Sequence, residues 1–196
     1  MGIRIALVPL LAAALLLTGC ATASPSGAAA EAEPAAALEI IADLGVDTSD
    51  PAAIIEGLDT LPVANRPSPD DLIASVQPGE LLLQPGDVSL PLTGTDFYLS
   101  IAPYVEQTHP CAFHSLTTCL GELQRTPIEL TVTDVKTGDV VVNEITATAD
   151  NGFVGVWLPR DGEFDVRIVG EQGAAEQRVT TGAEDPTCLT TMQLAA

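Results

Sequence analysis

Basic residues are scarce in this chain: 7 lysines and arginines stand against 27 aspartates and glutamates, a formal net charge of −20. A surface of that sign repels phosphate backbones, so the charge excludes nucleic-acid binding. Aromatic residues are also few, at 4%, but hydrophobic residues make up 46% and are enough for a packed core. The composition therefore predicts an acidic, folded, extracytoplasmic type of protein rather than a nucleic-acid-binding one.

The usual catalytic patterns are missing as well. The sequence shows no Ser-His-Asp set, no phosphate-binding loop and no pair of acids at a defined spacing. We therefore expect a protein that is not an enzyme. Its two histidines, His109 and His114, lie in one segment of eleven residues that also holds Cys111 and Cys119. The chemistry of the chain is concentrated there.

The N-terminus is predicted to be a targeting signal. Arg4 precedes an apolar run that reaches Leu17, too short to span a bilayer, and the run ends in Leu-Thr-Gly followed by Cys20. This order resembles a bacterial lipoprotein signal. Residues 1–19 would be removed, and lipid on Cys20 would hold the protein on the periplasmic side or outer face of the cell membrane. An ordinary secretory signal is the alternative.

The number of cysteines then suggests chemistry. With Cys20 lipidated, Cys111, Cys119 and Cys188 remain in a compartment where disulfides form readily. Three thiols cannot all pair within one chain, so one must stay free, pair between chains or bind something.

Thiolates and imidazole together suit Cu(I) and Zn(II). Cys111, Cys119 and Cys188 would complete a trigonal Cu(I) site, and adding His114 gives the four ligands that zinc prefers. His109, beside Pro110, is interpreted as a surface histidine. Spacing alone leaves three alternatives open: a metal site, a structural disulfide with a spare thiol, or a redox-active dithiol of Cys111 and Cys119 with Cys188 as the resolving thiol.

The fold class is predicted to be α+β. Residues 20–35 are interpreted as a flexible tether, and residues 36–102 as a small α+β unit with a structural or dimerising role. We expect helices over residues 35–44, after the Asp50 cap, and after Ser68, with strands near residues 81, 88 and 97.

Residues 103–196 are predicted to form an all-β sandwich with Trp157 as its core aromatic. Polar and apolar residues alternate from Ile128 to Thr133, residues 150–152 are predicted to be a hairpin turn, and residues 153–158 a central strand. Because the first and last strands of such a sandwich often lie side by side, we expect Cys188 to meet the first cysteine cluster.

Four blocks of the sequence resemble the CueP family of periplasmic copper-binding proteins. The resemblance covers roughly residues 35–196, and the blocks occur in the order and spacing typical of the family. They are YLSIAPYV at 98–105, HPCAFHSLTTC at 109–119, NGFVGVWLP at 151–159 and TCLTT at 187–191.

The resemblance implies that Cys111, Cys119 and Cys188 bind copper, with His114 beside them. It implies copper storage, detoxification or delivery to extracytoplasmic cuproenzymes, and it is compatible with reduction of Cu(II) by the thiols or with a thiol-disulfide reductase as partner. It also implies a V-shaped homodimer, formed by an N-terminal domain similar to the dimerisation domains of bacterial disulfide isomerases. The lipid anchor on Cys20 departs from the family's soluble periplasmic character.

Overall fold

The structure, a computed structural model, describes residues 26–195 and Gly2, and for residues 26–34 it describes the backbone only. Apart from Gly2, the predicted signal peptide lies outside the described residues, and so does Cys20, the predicted site of lipidation. Within the described part of the chain, no helix is long and apolar enough to cross a membrane.

The predicted α+β class is confirmed: two helices are followed by strands. The described residues form helices α1 Ser26–Asp43 and α2 Pro51–Asp59, a 3-10 helix Val63–Asn65, and strands β1 Ile73–Val76, β2 Glu80–Gln84, β3 Val88–Pro91, β4 Asp96–Ile101, β5 His114–Ser115, β6 Pro127–Asp134, β7 Val140–Ala147, β8 Val154–Pro159, β9 Glu163–Gly170, β10 Gly173–Thr180 and β11 Cys188–Leu189.

Helix α2 begins at the predicted cap. The Asp50 carboxylate accepts the backbone N–H groups of Ala52 at 2.8 Å and Ala53 at 3.0 Å, and Pro51 opens the helix. Helix α1 starts at Ser26 rather than Ala35, so part of the predicted tether is helical. Alanine, the strongest helix former, is abundant in that stretch.

The helix predicted after Ser68 is wrong. The Ser68 carbonyl accepts the N–H groups of Asp71 and Leu72 in one turn, and the chain then enters β1. Leu72, Ala74 and Val76 are buried in alternation, which is the two-residue period of a strand. A Ser-Pro-Asp-Asp sequence suits a turn as well as a helix start, and here pairing with β2 and β5 determines the outcome.

The first sheet has the order β3-β2-β1-β5 and is antiparallel. Both helices pack on it and form one hydrophobic core with it. The largest members of that core include Ile41, Ile54, Ile55, Leu58, Leu72, Leu81 and Leu83.

The predicted sandwich is present as two further sheets, β10-β9-β6-β7 and β11-β4-β8. The alternation in β6 is confirmed, since Ile128, Leu130 and Val132 are buried. A second core lies between the sheets. It includes Phe97, Leu99, Ile101, Leu158, Phe164, Val166, Ile168, Leu189 and Met192.

Two details of the sandwich prediction are wrong. Strand β8 is an edge strand that pairs with β4, not a central strand. Residues 150–152 turn the chain from one sheet to the other instead of closing a hairpin, because β7 pairs with β6 and β8 pairs with β4. The apolar character of residues 153–158 arises because one face of β8 meets the sandwich and the other meets the helical layer.

Trp157 is not the core aromatic of the sandwich. It lies on the opposite face of β8 from Val156 and Leu158, packs partly buried against the first core, and donates its indole N–H to Glu56 at 2.9 Å. Its ring centroid is 4.9 Å from that of Tyr98, its partner across the strands. The aromatic residues in the core of the sandwich are Phe97 and Phe164.

The predicted boundary at residue 102 does not separate the first sheet from the sandwich, because the strand on each side of it lies in the other unit. Strand β4 precedes residue 102 but lies in the sandwich, whereas β5 follows it and pairs with β1 of the first sheet. The segment that carries the cysteine and histidine cluster is therefore held between the two halves of the fold.

Candidate metal centre

His114 is fixed by the first sheet. It pairs with Val76 across β5 and β1, and its backbone N–H donates to the Thr187 hydroxyl at 3.1 Å. That hydroxyl in turn donates to the Val76 carbonyl at 2.6 Å, and Thr187 is fully buried. A single threonine thus ties the histidine segment to the residue before Cys188.

Cys188 is carried back onto the cluster, as predicted. The first and last strands of the sandwich lie side by side as expected, but they pair in parallel, with Cys188 of β11 opposite Ser100 of β4, and β4 precedes the predicted start of the sandwich at residue 103. The N–H groups of Thr187 and Cys188 both donate to the Ala112 carbonyl, at 3.0 and 3.2 Å. These bonds place the end of the chain beside the loop of residues 111–119.

The sulfurs form one group. Cys111 and Cys188 are joined in a disulfide with a Cα–Cα separation of 5.7 Å. Cys119 is the free thiol among the described cysteines, and its Sγ lies 3.8 Å from that of Cys111. Among the three alternatives, the structure therefore shows a disulfide with a spare thiol, and the bonds to Ala112 make Cys188 rather than Cys119 the partner of Cys111. Meanwhile the Ser115 N–H donates to the Cys119 sulfur at 3.4 Å.

Two sets of ligand atoms converge here. One contains His114, Cys119 and Cys188, and the other contains His109, Cys111 and Cys119; within each set the atoms lie within 4.8 Å of one another. All four predicted ligands are thus brought together. His109, which was predicted to be a surface histidine, is half-buried, and its ring lies close to the Cys111 and Cys119 sulfurs.

Sequence reasoning missed the carboxylate behind His114. Asp59 is the last residue of α2 and is buried. Its carboxylate accepts hydrogen bonds from His114 Nε2 at 2.8 Å and from Asn151 Nδ2 at 2.7 Å. It also accepts hydrogen bonds from the hydroxyls of Ser100, at 3.2 Å, and Tyr98. One signal was available: an acidic residue in the last turn of a helix opposes the helix dipole, which suggests another reason for its presence.

These contacts set the charges of the site. Burial alone would lower the pKa of His114, but the charge and hydrogen bond of Asp59, with help from Cys119, raise it to about 9. Burial would raise the pKa of Asp59, yet the charge of His114 and the surrounding donors hold it below its usual value. The unliganded site therefore holds an imidazolium against a carboxylate.

The free thiol is activated by the same histidine. Burial would raise the pKa of Cys119, but the hydrogen bond and charge of His114, the Ser115 N–H and the charge of Arg66 together lower it. Arg66 also donates Nη1 to the Cys119 carbonyl at 2.8 Å, which anchors this end of the loop. Cys119 is thus a half-buried thiol with enhanced thiolate character.

We expect His114 in the disulfide form to stay protonated well above pH 7. Since its folded pKa is raised, the His114–Asp59 pair stabilises the protein fully below about pH 6.5 and loses this contribution as the pH rises through about 9. The loss is on the order of 3 kcal/mol, at about 1.4 kcal/mol per pKa unit. Imidazole NMR and urea denaturation between pH 6 and 10 measure both quantities. A His114 titration at or below pH 6.5 would contradict the pairing.

Gly155 provides a second expected result. A Cβ at this position would lie 1.9 Å from the Tyr98 hydroxyl oxygen, and Tyr98 is buried and bonded to Asp59. We expect Gly155→Ala to lower the free energy of unfolding by about 1–3 kcal/mol through overpacking. Gly79→Ala is the control, because nothing lies within 4 Å of its added Cβ. Equal stabilities of the two variants in urea would show that Tyr98 is not fixed.

Comparison with known proteins bears on this arrangement. The family described as "Periplasmic copper-binding protein CueP" matches residues 53–193, which include every cysteine and histidine of the site. The chain belongs to the CueP family. It is therefore a member of a family of periplasmic copper-binding proteins.

A solved CueP structure has the same fold. The protein in "Crystal Structure of S.CueP" is 35% identical, with a TM-score of 0.68, and the match covers 89% of this chain and 99% of that one. A search of curated proteins found no match. The family resemblance of the four sequence blocks is thus confirmed over most of the chain.

Proposed function

We propose that this protein sequesters Cu(I) through the thiolates of Cys111, Cys119 and Cys188, with the His114 imidazole as a further ligand. The copper is held for storage, detoxification or delivery to extracytoplasmic cuproenzymes. The observation that carries this proposal is the convergence of the Cys119 and Cys188 sulfurs on the His114 imidazole, whose far nitrogen is already bonded to a buried carboxylate, with the Cys111 sulfur against both of them.

The donor set suits this cargo. Thiolate sulfur and imidazole nitrogen are the ligands that soft Cu(I) prefers over the hard cations. With metal–sulfur bonds of about 2.3 Å, as in zinc sites, two ligands of one ion are separated by about 4 Å. The Cys111 and Cys119 sulfurs are 3.8 Å apart, and His114 Nδ1 is 3.9 Å from the Cys188 sulfur.

The carboxylate behind His114 supports the same function. His114 Nε2 is bonded to Asp59, which leaves Nδ1 directed at the sulfurs. A carboxylate behind a ligating histidine fixes the ring and raises its basicity. Because the ring is protonated in the unliganded site, copper must displace the Nδ1 proton, and binding should weaken at low pH.

The disulfide makes copper binding dependent on reduction. Cys111 and Cys188 must be reduced before they can ligate copper, so a thiol-disulfide reductase is the partner that we infer. The disulfide also favours a second activity, reduction of Cu(II). Two Cu(II) ions would each take one electron from the Cys111 and Cys188 thiolates, giving two Cu(I) ions and the disulfide, with the thiol protons released to water.

A competition titration tests the function. The protein is reduced anaerobically, freed of reductant, and titrated with Cu(I) against a chromogenic chelator; the disulfide form is titrated in parallel. We expect the disulfide form to bind more than about 100-fold more weakly, because it lacks two of the three thiolates. Elemental analysis of reduced, copper-replete protein distinguishes copper from zinc.

Other outcomes of these measurements would favour other functions. Absence of high-affinity Cu(I) binding by the reduced form would overturn the proposal. Metal-free turnover in an insulin or glutathione exchange assay would support the thiol-disulfide oxidoreductase alternative instead. That alternative has one point against it: the three cysteines include no Cys-x-x-Cys pair at a helix start.

The location and assembly of the protein are proposed from the sequence. We infer a lipid anchor on Cys20 and a homodimer formed through residues 36–102. We expect the wild type to partition into the detergent phase in a Triton X-114 extraction and Cys20→Ser to remain in the aqueous phase. A wild type found in the aqueous phase would exclude the anchor.

Light scattering of a protein that starts after Cys20 tests the dimer.

A further inference from the structure

We propose that copper binds in two successive positions: an outer donor set of His109, Cys111 and Cys119 that receives the ion, and an inner donor set of His114, Cys119 and Cys188 that retains it. The inference depends on the proposed function, because both sets need a protein that takes up Cu(I). Its new elements are a ligand role for His109 and an order of events.

The two sets differ in exposure. All three residues of the outer set are half-buried, so an arriving ion can reach their donor atoms. In the inner set His114 is 0% exposed and Cys188 is 4% exposed. An ion that moves from the first set to the second therefore passes from a solvent-accessible position to a dry one, where competing ligands have no access.

His109 is held in place like a ligand and not like a loose surface residue. The Glu122 carboxylate accepts the N–H groups of Val105 at 2.6 Å, Glu106 at 3.0 Å and Gln107 at 3.3 Å, which fixes the chain that leads to His109. On the other side of this chain, the Thr108 hydroxyl donates to the Thr190 carbonyl at 2.6 Å, two residues after Cys188.

Solvent reaches His109 through its own surface hollow. The hollow has a volume of about 290 Å³ and is lined by His109, Gln107, Leu120 and Glu122, among others. The Glu122 carboxylate is already occupied by three backbone N–H groups. The imidazole is therefore the donor that the hollow offers to a soft ion.

The path between the two imidazoles leads through the sulfurs. The buried ring of Phe153 lies 4.4 Å from the His114 ring and 6.4 Å from the His109 ring, centroid to centroid. An aromatic hydrocarbon offers no ligand comparable to a thiolate. Cys119 belongs to both sets, so it can keep its bond to copper while His109 is exchanged for Cys188 and His114. Cys111 lies against both of the other sulfurs and can remain the third thiolate.

The disulfide closes both sets at once. It joins Cys111 of the outer set to Cys188 of the inner set, which leaves each set with one sulfur and one imidazole. Reduction therefore opens the entry position and the retention position in the same step.

The test isolates each set in reduced protein, where the wild type also lacks the disulfide. Cys188→Ser leaves the outer set intact, and Cys111→Ser leaves the inner set intact. We expect His109→Ala to weaken Cu(I) binding at least about tenfold in the Cys188→Ser background and less than about twofold in the Cys111→Ser background. The readout is competition of Cu(I) with a chromogenic chelator.

A kinetic measurement completes the test. In the otherwise wild-type protein we expect His109→Ala to slow the transfer of Cu(I) from the chelator about tenfold, with equilibrium affinity unchanged within about threefold. Glu106→Gln, an exposed change in the same loop but outside the hollow, is the control and should leave the rate unchanged.

The outcomes separate the two proposals. Equal effects of His109→Ala in the two backgrounds, or a wild-type transfer rate in the single variant, would overturn the outer set while leaving Cu(I) sequestration in place. Absence of Cu(I) binding by the wild type would overturn the proposed function and the two donor sets with it.

Discussion

Cys119→Ser is expected to lower the affinity of the reduced protein for Cu(I) by more than about 100-fold. Loss of a residue that only hydrogen-bonds to a metal ligand already lowers metal affinity about 10- to 100-fold. Cys119 is placed to ligate the ion directly, so its loss should cost more. Its sulfur is 3.8 Å from that of Cys111, and its lowered pKa means that the thiol ionises more readily than that of a free cysteine. The measurement is competition against a Cu(I) chelator at pH 7.

This variant separates ligation from folding. Cys119 is outside the disulfide, so the oxidised variant keeps the Cys111–Cys188 bond and should unfold within about 1 kcal/mol of the wild type. Cys111→Ser loses the bond that closes a separation of 77 residues, and the oxidised protein should be destabilised by about 4 kcal/mol. Thr118→Ser, an exposed neighbouring change, is the control for affinity. Wild-type affinity in Cys119→Ser would remove this thiol from the site.

Asp59→Asn is expected to lower the free energy of unfolding strongly. The carboxylate accepts four donors in a buried position, among them the His114 imidazole at 2.8 Å. An amide replaces one acceptor oxygen with an N–H₂ group that faces those donors, and it removes the charge that keeps His114 protonated. Breaking a buried ion pair costs about 3–5 kcal/mol, which urea denaturation at pH 7 measures.

The same change should weaken copper binding about 10- to 100-fold, because the His114 ring loses the group that orients it. It should also abolish the loss of stability that we predict for the wild type between pH 7 and 10. Asp43→Asn, the same change at the exposed last residue of α1, is the control for both measurements. If Asp59→Asn kept wild-type stability and affinity, the carboxylate would have no part in positioning His114.

The local patterns predicted well what depends on neighbouring residues. Asp50 and Pro51 begin α2 as expected, because a cap satisfies N–H groups two and three residues away. The alternation in β6 predicted a strand with one buried face, because burial follows the two-residue period. The short β1 was predicted as a helix, because four residues carry too little periodicity and the deciding contacts come from β2 and β5.

The donor atoms could be chosen from the sequence, but their surroundings could not. Cysteine and histidine are the residue types that soft metals require, and they are few enough in this chain to be noticed. The place of Asp59 in the last turn of a helix was one signal, but it did not identify His114 as the partner, because their bond spans 55 positions. Nothing about the sequence near His109 distinguished a positioned imidazole from an exposed one, because Glu122 holds its loop from 13 residues away.

By itself the sequence determined the chemistry available: an acidic chain in which three of the four cysteines and both histidines are gathered in two short segments, in an order found in CueP proteins. Only the tertiary structure decided how those groups are used. It joined Cys111 to Cys188, left Cys119 free, and set a buried carboxylate behind His114. Residue type sets which bonds an atom can form, whereas separation, burial and partner charge, which set pKa and access, exist only once distant segments have packed together.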